Sequence, residues 1–122
     1  MTLLCLLQSK HRFADFFLQT PKMLSGRDTY LHTGRAQHAG VHTLGSIAVF
    51  VLMGANVGFI LLICLAEWVV HFHIDYGTAH YSEKKDLTPQ QAMFWRAMGT
   101  DQFLHQLTYL AMAAIWVKCT FW

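Results

Sequence analysis

Histidines and aspartates recur at four-residue spacing along this chain, and this is the pattern that could carry chemistry. The sequence contains four such pairs: His11 with Asp15, His38 with His42, His71 with Asp75, and Asp101 with His105. On an α-helix, side chains four residues apart lie on one face, one turn above the other. Each pair can therefore direct two side chains towards one point if its segment is helical.

Imidazole and carboxylate groups together suit a divalent metal ion such as Zn, Mn or Fe. We predict that its ligands come from the pairs, namely His11, His38, His42, His71, Asp75 and His105. Asp15, Asp101 and Glu67 are the acids that we predict as general base towards a metal-activated water. Glu67 stands one helical turn before His71 and so extends that pair.

The elements that must position these pairs are helices. Apolar periodicity predicts about four of them, at roughly 3–19, 31–53, 56–82 and 89–119, in a single all-α domain over 1–122. The first helix is amphipathic and too polar to span a bilayer alone. Thr88, Pro89 and Gln91 predict a capping box at the start of the last helix.

The middle of the chain decides whether the pairs can meet. Residues 44–66 carry no charge and are long enough for one membrane span, but the helical signal extends from about residue 36 to residue 80. One helix of that length would reach roughly 65 Å, about twice the hydrocarbon thickness. Gly54 and Asn56 tolerate the left-handed conformation that ends a helix. We therefore predict a helical hairpin here.

An up-down-up-down bundle places the loops at 19–30 and 82–89 on one side. All four pairs lie within roughly one to four helical turns of that side, so they can meet at one level. Basic residues are concentrated there: Lys22, Arg27, Arg35, Lys84, Lys85 and Arg96. The positive-inside rule then predicts that both loops are cytoplasmic and that both termini lie outside.

Composition indicates an integral membrane bundle rather than a soluble domain. The chain is 54% hydrophobic and only 13% charged, about half the charge of a typical soluble domain. Its net charge is +2 and no basic stripe is present, so we expect no nucleic-acid partner. The expected partners are the lipid bilayer and either a lipid-linked substrate or another membrane protein.

Two classes of function fit these features. The first is a metal-dependent hydrolase that acts on a lipid-linked or phosphorylated substrate at the cytoplasmic face. The second is a non-catalytic membrane subunit or scaffold whose polar pairs lock helices together, with a proton or ion pathway as a variant. A di-iron oxygenase ranks lower because adjacent-histidine motifs are absent. A haem carrier ranks lower because an aspartate accompanies nearly every histidine.

The order of these motifs adds a family resemblance. They are His11/Asp15/Gln19, then His38 or His42, then His71/Asp75, and finally Asp101/Gln102/His105. This series is similar to the small bacterial and phage membrane proteins known as domain of unknown function 3307, over nearly the whole chain. The resemblance implies a multi-pass membrane protein and no particular activity, and its motif residues are His11, Asp15, Gln19, His71, Asp75, Asp101, Gln102 and His105. We expect the protein in the bacterial inner membrane.

Overall fold

A computed structural model describes residues 1–26 and 29–122, and the regular secondary structure in those ranges is entirely α-helical. The helices are α1 (Thr2–Phe16), α2 (Pro21–Leu24), α3 (Thr33–Leu52), α4 (Val57–Lys84) and α5 (Ala92–Phe121). The predicted all-α class is confirmed. Arg27, one of the predicted positive-inside residues, and its neighbour Asp28 lie outside the described residues.

The short helix α2 interrupts the loop that the sequence predicted between the first two long helices. Pro21 occupies its first turn, where the missing N–H costs nothing, and the Thr20 side chain accepts a hydrogen bond from the Met23 N–H. The loop prediction was therefore wrong for these four residues. The helix packs against α3, so it ties the connection to the bundle.

The last helix begins at Ala92, three residues later than predicted, and Thr88 is not its N-cap. The Thr88 N–H donates to the Gln91 side chain at 2.9 Å, and the Gln91 N–H donates to the Thr88 carbonyl at 2.9 Å. Half of the predicted capping box thus forms, but it closes a turn over residues 88–91 that precedes the helix.

The chain turns between α3 and α4 at residues 53–56, where Gly54 and Asn56 predicted it. Gly54 has φ +74°, a conformation that glycine adopts without the steric cost of a Cβ. Asn56 then caps α4, because its side chain accepts a hydrogen bond from the Phe59 N–H at 2.8 Å. Further along, the Trp68 indole N–H donates to the Ala36 carbonyl at 3.2 Å, which ties the two helices together.

The four long helices form a ring in which α1 packs on α3, α3 on α4, α4 on α5, and α5 on α1. An apolar core fills the end of this ring near the α3–α4 turn. Its members come from all four helices: Leu3, Leu7, Val49, Phe50, Ile60, Ile63, Cys64, Tyr109, Met112 and Trp116. The predicted polar pairs occupy the next level towards the other end.

Large apolar side chains also cover the outside of the bundle. On α4, Leu61, Leu62 and Leu65 are 62–74% exposed. Other exposed apolar side chains lie on α3 and α5, among them Leu44, Leu52, Phe103 and Leu110. Within the described ranges, α4 is the one helix whose length and composition suffice to cross a membrane. The predicted integral bundle of several membrane spans therefore stays a prediction.

Candidate metal centre

The four predicted pairs converge inside the bundle, one pair from each long helix. His11, His38, His42, His71 and His105 are all at most 6% exposed. Their rings are packed together, with centroid distances of 4.0 Å between His42 and His71, 4.1 Å between His71 and His105, and 4.7 Å between His38 and His42. Helical spacing places the members of each pair on one face, and the ring of helices turns these faces inward.

One part of the cluster is centred on Asp15. Its Oδ1 lies 2.9 Å from Nε2 of His42 and 3.4 Å from Nε2 of His38, and its Oδ2 lies 3.2 Å from Nε2 of His11. The Gln102 side chain reaches the same point, with its Oε1 3.0 Å from Nε2 of His11. This part therefore joins α1, α3 and α5.

A second part is centred on Asp75. Its Oδ1 lies 3.1 Å from Nε2 of His105, and its Oδ2 lies 3.4 Å from Nε2 of His71. His38 also approaches it, with Nε2 3.8 Å from Asp75 Oδ2. Because the same His38 nitrogen is near Asp15, this side chain stands between the two aspartates.

The donor set fits a divalent metal ion. Three groups bring their ligand atoms within 4.8 Å of one another: His11/Asp15/His42, His71/Asp75/His105 and His38/His42/His71. Ligands of one ion at 2.0–2.2 Å are separated by about 3–4 Å, so small shifts would close such a shell. Among the described residues, Nε2 of the buried His71 makes no well-formed hydrogen bond, although Asp75 Oδ2 lies 3.4 Å away. Buried polar groups are costly without a partner, and a metal ion would provide one.

Tyr109 is a residue of the centre that our sequence analysis missed. It is 1% exposed, and its hydroxyl lies 3.0 Å from Nδ1 of His11 and 3.3 Å from Nδ1 of His42. It thereby turns both Nε2 atoms towards Asp15, as partners of metal-bound histidines commonly do. Its position four residues after His105 was a signal that could have found it.

Glu67, predicted as a general base, is held in a buried ion pair with Lys10. The Lys10 ammonium also donates to the His42 carbonyl at 3.0 Å. This pair lies beside the Tyr109 ring, whose centroid is 4.5 Å from Lys10 Nζ. The ion pair disfavours Glu67 as a base, because its charge is already neutralised. The sequence could not predict this ion pair, because Lys10 and Glu67 are 57 positions apart and no spacing pattern relates them.

Asp101 has a different setting. Its Oδ1 accepts a hydrogen bond from the Thr78 hydroxyl at 2.6 Å, and its Oδ2 lies 3.6 Å from Nε2 of His105. The side chain is 21% exposed. Asp101 therefore faces the open edge of the cluster, where a substrate or water could approach.

A cavity of about 780 Å³ leads from the cluster towards the α4–α5 connection. Polar groups of the centre form its floor: Asp15, His38, Asp75, Asp101 and His105. The rest of the lining is mixed: it has apolar side chains such as Phe16, Leu87, Phe94 and Met98, uncharged polar ones such as Gln19 and Ser82, and the acids Glu83 and Asp86. None of the lining residues is lysine or arginine. Two other histidines of α4 lie apart, since His73 and His80 are exposed.

The fold and the site together define an all-α protein that brings five buried histidines and two partly buried aspartates together at one level. The chain matches the family described as "Protein of unknown function (DUF3307)" over residues 3–121, and it belongs to that family. The resemblance drawn from the motifs is thus confirmed. No curated protein and no solved structure matches the chain.

Proposed function

We propose that this protein is a metal-dependent hydrolase embedded in a membrane, acting on a lipid-linked or phosphorylated substrate. The observation that carries the proposal is the convergence of imidazole and carboxylate groups from four helices at the floor of one cavity. Ionisable groups are costly at membrane depth and commonly line functional interiors. With nitrogen and oxygen donors, Zn, Mn or Fe is the expected ion. The Cys64 thiol does not join this donor set, because Cys64 belongs to the apolar core.

A bound divalent ion lowers the pKa of a coordinated water and thus supplies hydroxide at neutral pH. In this proposal Asp101 accepts the proton of the attacking water and returns it to the leaving group. Its position supports that role, because Thr78 fixes one carboxylate oxygen and the residue lines the cavity. Asp15 is the alternative base, but three imidazoles already surround it.

The exposed apolar surface supports a place in the bilayer. α4 has the length and composition of a membrane span, and the exposed faces of α3 and α5 extend the same surface with Leu44, Phe103 and Leu110. We propose several spans with the α4–α5 connection in the cytoplasm and the termini outside, in a bacterial inner membrane. The cavity would then open on the cytoplasmic side, and its apolar wall would accept a lipid chain.

The test is metal analysis of protein purified in detergent without chelators, followed by assays on lipid-linked and phosphate-ester substrates. We expect bound Zn, Mn or Fe in the wild type and a reduced metal content in His71→Ala. Asp101→Asn should keep the ion and lose hydrolysis by about 100-fold or more, the usual contribution of a general base. His73→Ala, on the same helix but exposed, is the matched control. Wild-type protein without stoichiometric metal would refute the proposal.

A scaffold is the second candidate, and specific hydrogen bonds favour it. His42 on α3 bonds to Asp15 on α1, and His105 on α5 bonds to Asp75 on α4. Such interhelical bonds stabilise a bundle without any metal. This alternative predicts that His71→Ala and Asp101→Asn change stability alone and that the wild type contains no metal.

A further inference from the structure

We propose that the centre holds two divalent ions rather than one. The first would be bound by His11, Asp15 and His42, and the second by His71, Asp75 and His105. This inference rests on the proposed metal-dependent function and adds the number of ions and the division of ligands between them.

The two ligand groups are built alike. α1 and α4 each supply a histidine followed four residues later by an aspartate. The next long helix in the chain completes each group with one histidine, His42 on α3 for the first and His105 on α5 for the second. Each group thus offers one carboxylate and two imidazoles. Three protein ligands with one open position are the usual arrangement of a catalytic metal site.

The number of donors exceeds what one ion can use. Five buried histidines and two aspartates meet here, whereas a tetrahedral ion takes four ligands. A single ion would leave three or more of these groups buried without a metal partner. Two ions with three ligands each use six of the seven side chains. His38 is the one side chain left outside both ligand groups.

The spacing of the groups suits a two-metal site. The rings of His42 and His71, one from each group, have centroids 4.0 Å apart, so the groups are in direct contact. His38 stands between them, with Nε2 3.4 Å from Asp15 Oδ1 and 3.8 Å from Asp75 Oδ2. Ions in two-metal hydrolases are about 3.5–4 Å apart. Two ions at that distance can share a carboxylate ligand, and the aspartates beside His38, Asp15 and Asp75, are the carboxylates placed to be shared.

Charge gives an independent argument. Asp15, Asp75 and Asp101 bring three negative charges, and the cavity adds Glu83 and Asp86 without any basic side chain in its lining. One divalent ion would leave the three aspartates with a net negative charge, which repels a phosphate. Two ions reverse that sign at the three aspartates and leave the whole cavity, with Glu83 and Asp86 included, much less negative. A phosphorylated substrate could then bind across both ions, which stabilise the attacking and leaving oxygens.

The experiment loads detergent-purified wild-type protein with Mn²⁺ and measures both stoichiometry and the electron paramagnetic resonance spectrum. We expect about two ions per chain and a spin-coupled pair, since ions at this separation interact. Asp15→Asn and Asp75→Asn should each retain about one ion with an uncoupled spectrum. His73→Ala should retain the coupled pair. The wild-type spectrum needs no variant, so misfolding of a variant cannot obscure the result.

The outcomes separate the two proposals. One uncoupled ion per chain in the wild type overturns the two-ion inference and leaves the metal-dependent function standing. No bound ion overturns both. Loss of all metal from both aspartate variants, with their helical circular dichroism preserved, overturns the division of ligands into two independent groups.

Discussion

The Tyr109 hydroxyl lies 3.0 Å from Nδ1 of His11, in the buried interior of the bundle. It also lies 3.3 Å from Nδ1 of His42. When Nε2 of each ring binds a metal, each Nδ1 carries a proton, and the tyrosine oxygen is placed to accept from both. A single phenol on α5 thus fixes the orientation of two imidazoles that come from α1 and α3.

Tyr109→Phe should therefore weaken metal binding by about 10–100-fold, the usual effect of removing a partner of a metal-bound histidine. The phenylalanine ring keeps the core contacts, so the helical content should not change. Titration of the metal against a fluorescent chelator measures the affinity. Tyr81→Phe, on an exposed side chain, is the control. Equal affinities in both variants would contradict the role of the hydroxyl.

The buried ion pair gives a prediction about stability. The side chains of Lys10 and Glu67 are 9% and 0% exposed, so Lys10→Met leaves a buried carboxylate without its counter-charge. We expect a loss of about 3–5 kcal/mol in the free energy of unfolding. The double variant Lys10→Met/Glu67→Leu should recover most of it, because no charge is then buried. Denaturant titration in detergent compares the three proteins, and a double variant as unstable as the single one would contradict this account.

The apolar core supplies a third prediction. Phe50 is fully buried and packs against Phe59 and Trp116, with ring centroids 5.4 and 6.0 Å away. Phe50→Ala should cost about 3–5 kcal/mol in the free energy of unfolding, because it removes these contacts and leaves a cavity. Leu44→Ala on the same helix, 67% exposed, should cost far less. Thermal unfolding of both variants in one detergent makes the comparison.

The proposed membrane span gives a fourth prediction. Leu65 lies in the apolar part of α4 and is 62% exposed, so Leu65→Lys would place a charge against lipid. The cost at the centre of a span is roughly 2.5–3.5 kcal/mol, and we expect reduced insertion in a microsomal glycosylation assay. Glu83→Lys, near the end of α4, should insert normally. Equal insertion of both variants would contradict a span through Leu65.

The sequence predicted the polar pairs because the underlying rule is local. Four-residue spacing on a helix decides which side chains share a face, and this held for pairs such as His71 and Asp75. The turn at Asn56 was also local, since capping needs only the residue itself and the Phe59 N–H. Together with an assumed up-down-up-down arrangement of the helices, these two local rules predicted that acids and imidazoles from separate helices meet.

Tertiary contacts account for what the sequence did not reveal. The partner of Glu67 is Lys10, which lies on another helix at an unrelated position in the sequence. The start of α5 depended on a choice between capping a helix at Thr88 and closing a turn there, and both use the same Gln91 side chain. Helical spacing predicts which side chains are neighbours within one helix. It does not predict which other helix packs against them.

The ring order of the helices also bears on biosynthesis. His105 and Tyr109 lie on α5, the last helix of the ring, and they contact groups on α4 and α1 that leave the ribosome much earlier. Until α5 has been synthesised and docked, the acids and imidazoles of the first three long helices have an open side. In the proposed two-ion centre, the ligand group that needs His105 would therefore be completed late in biogenesis, and a nascent chain arrested before residue 100 should lack that second ion.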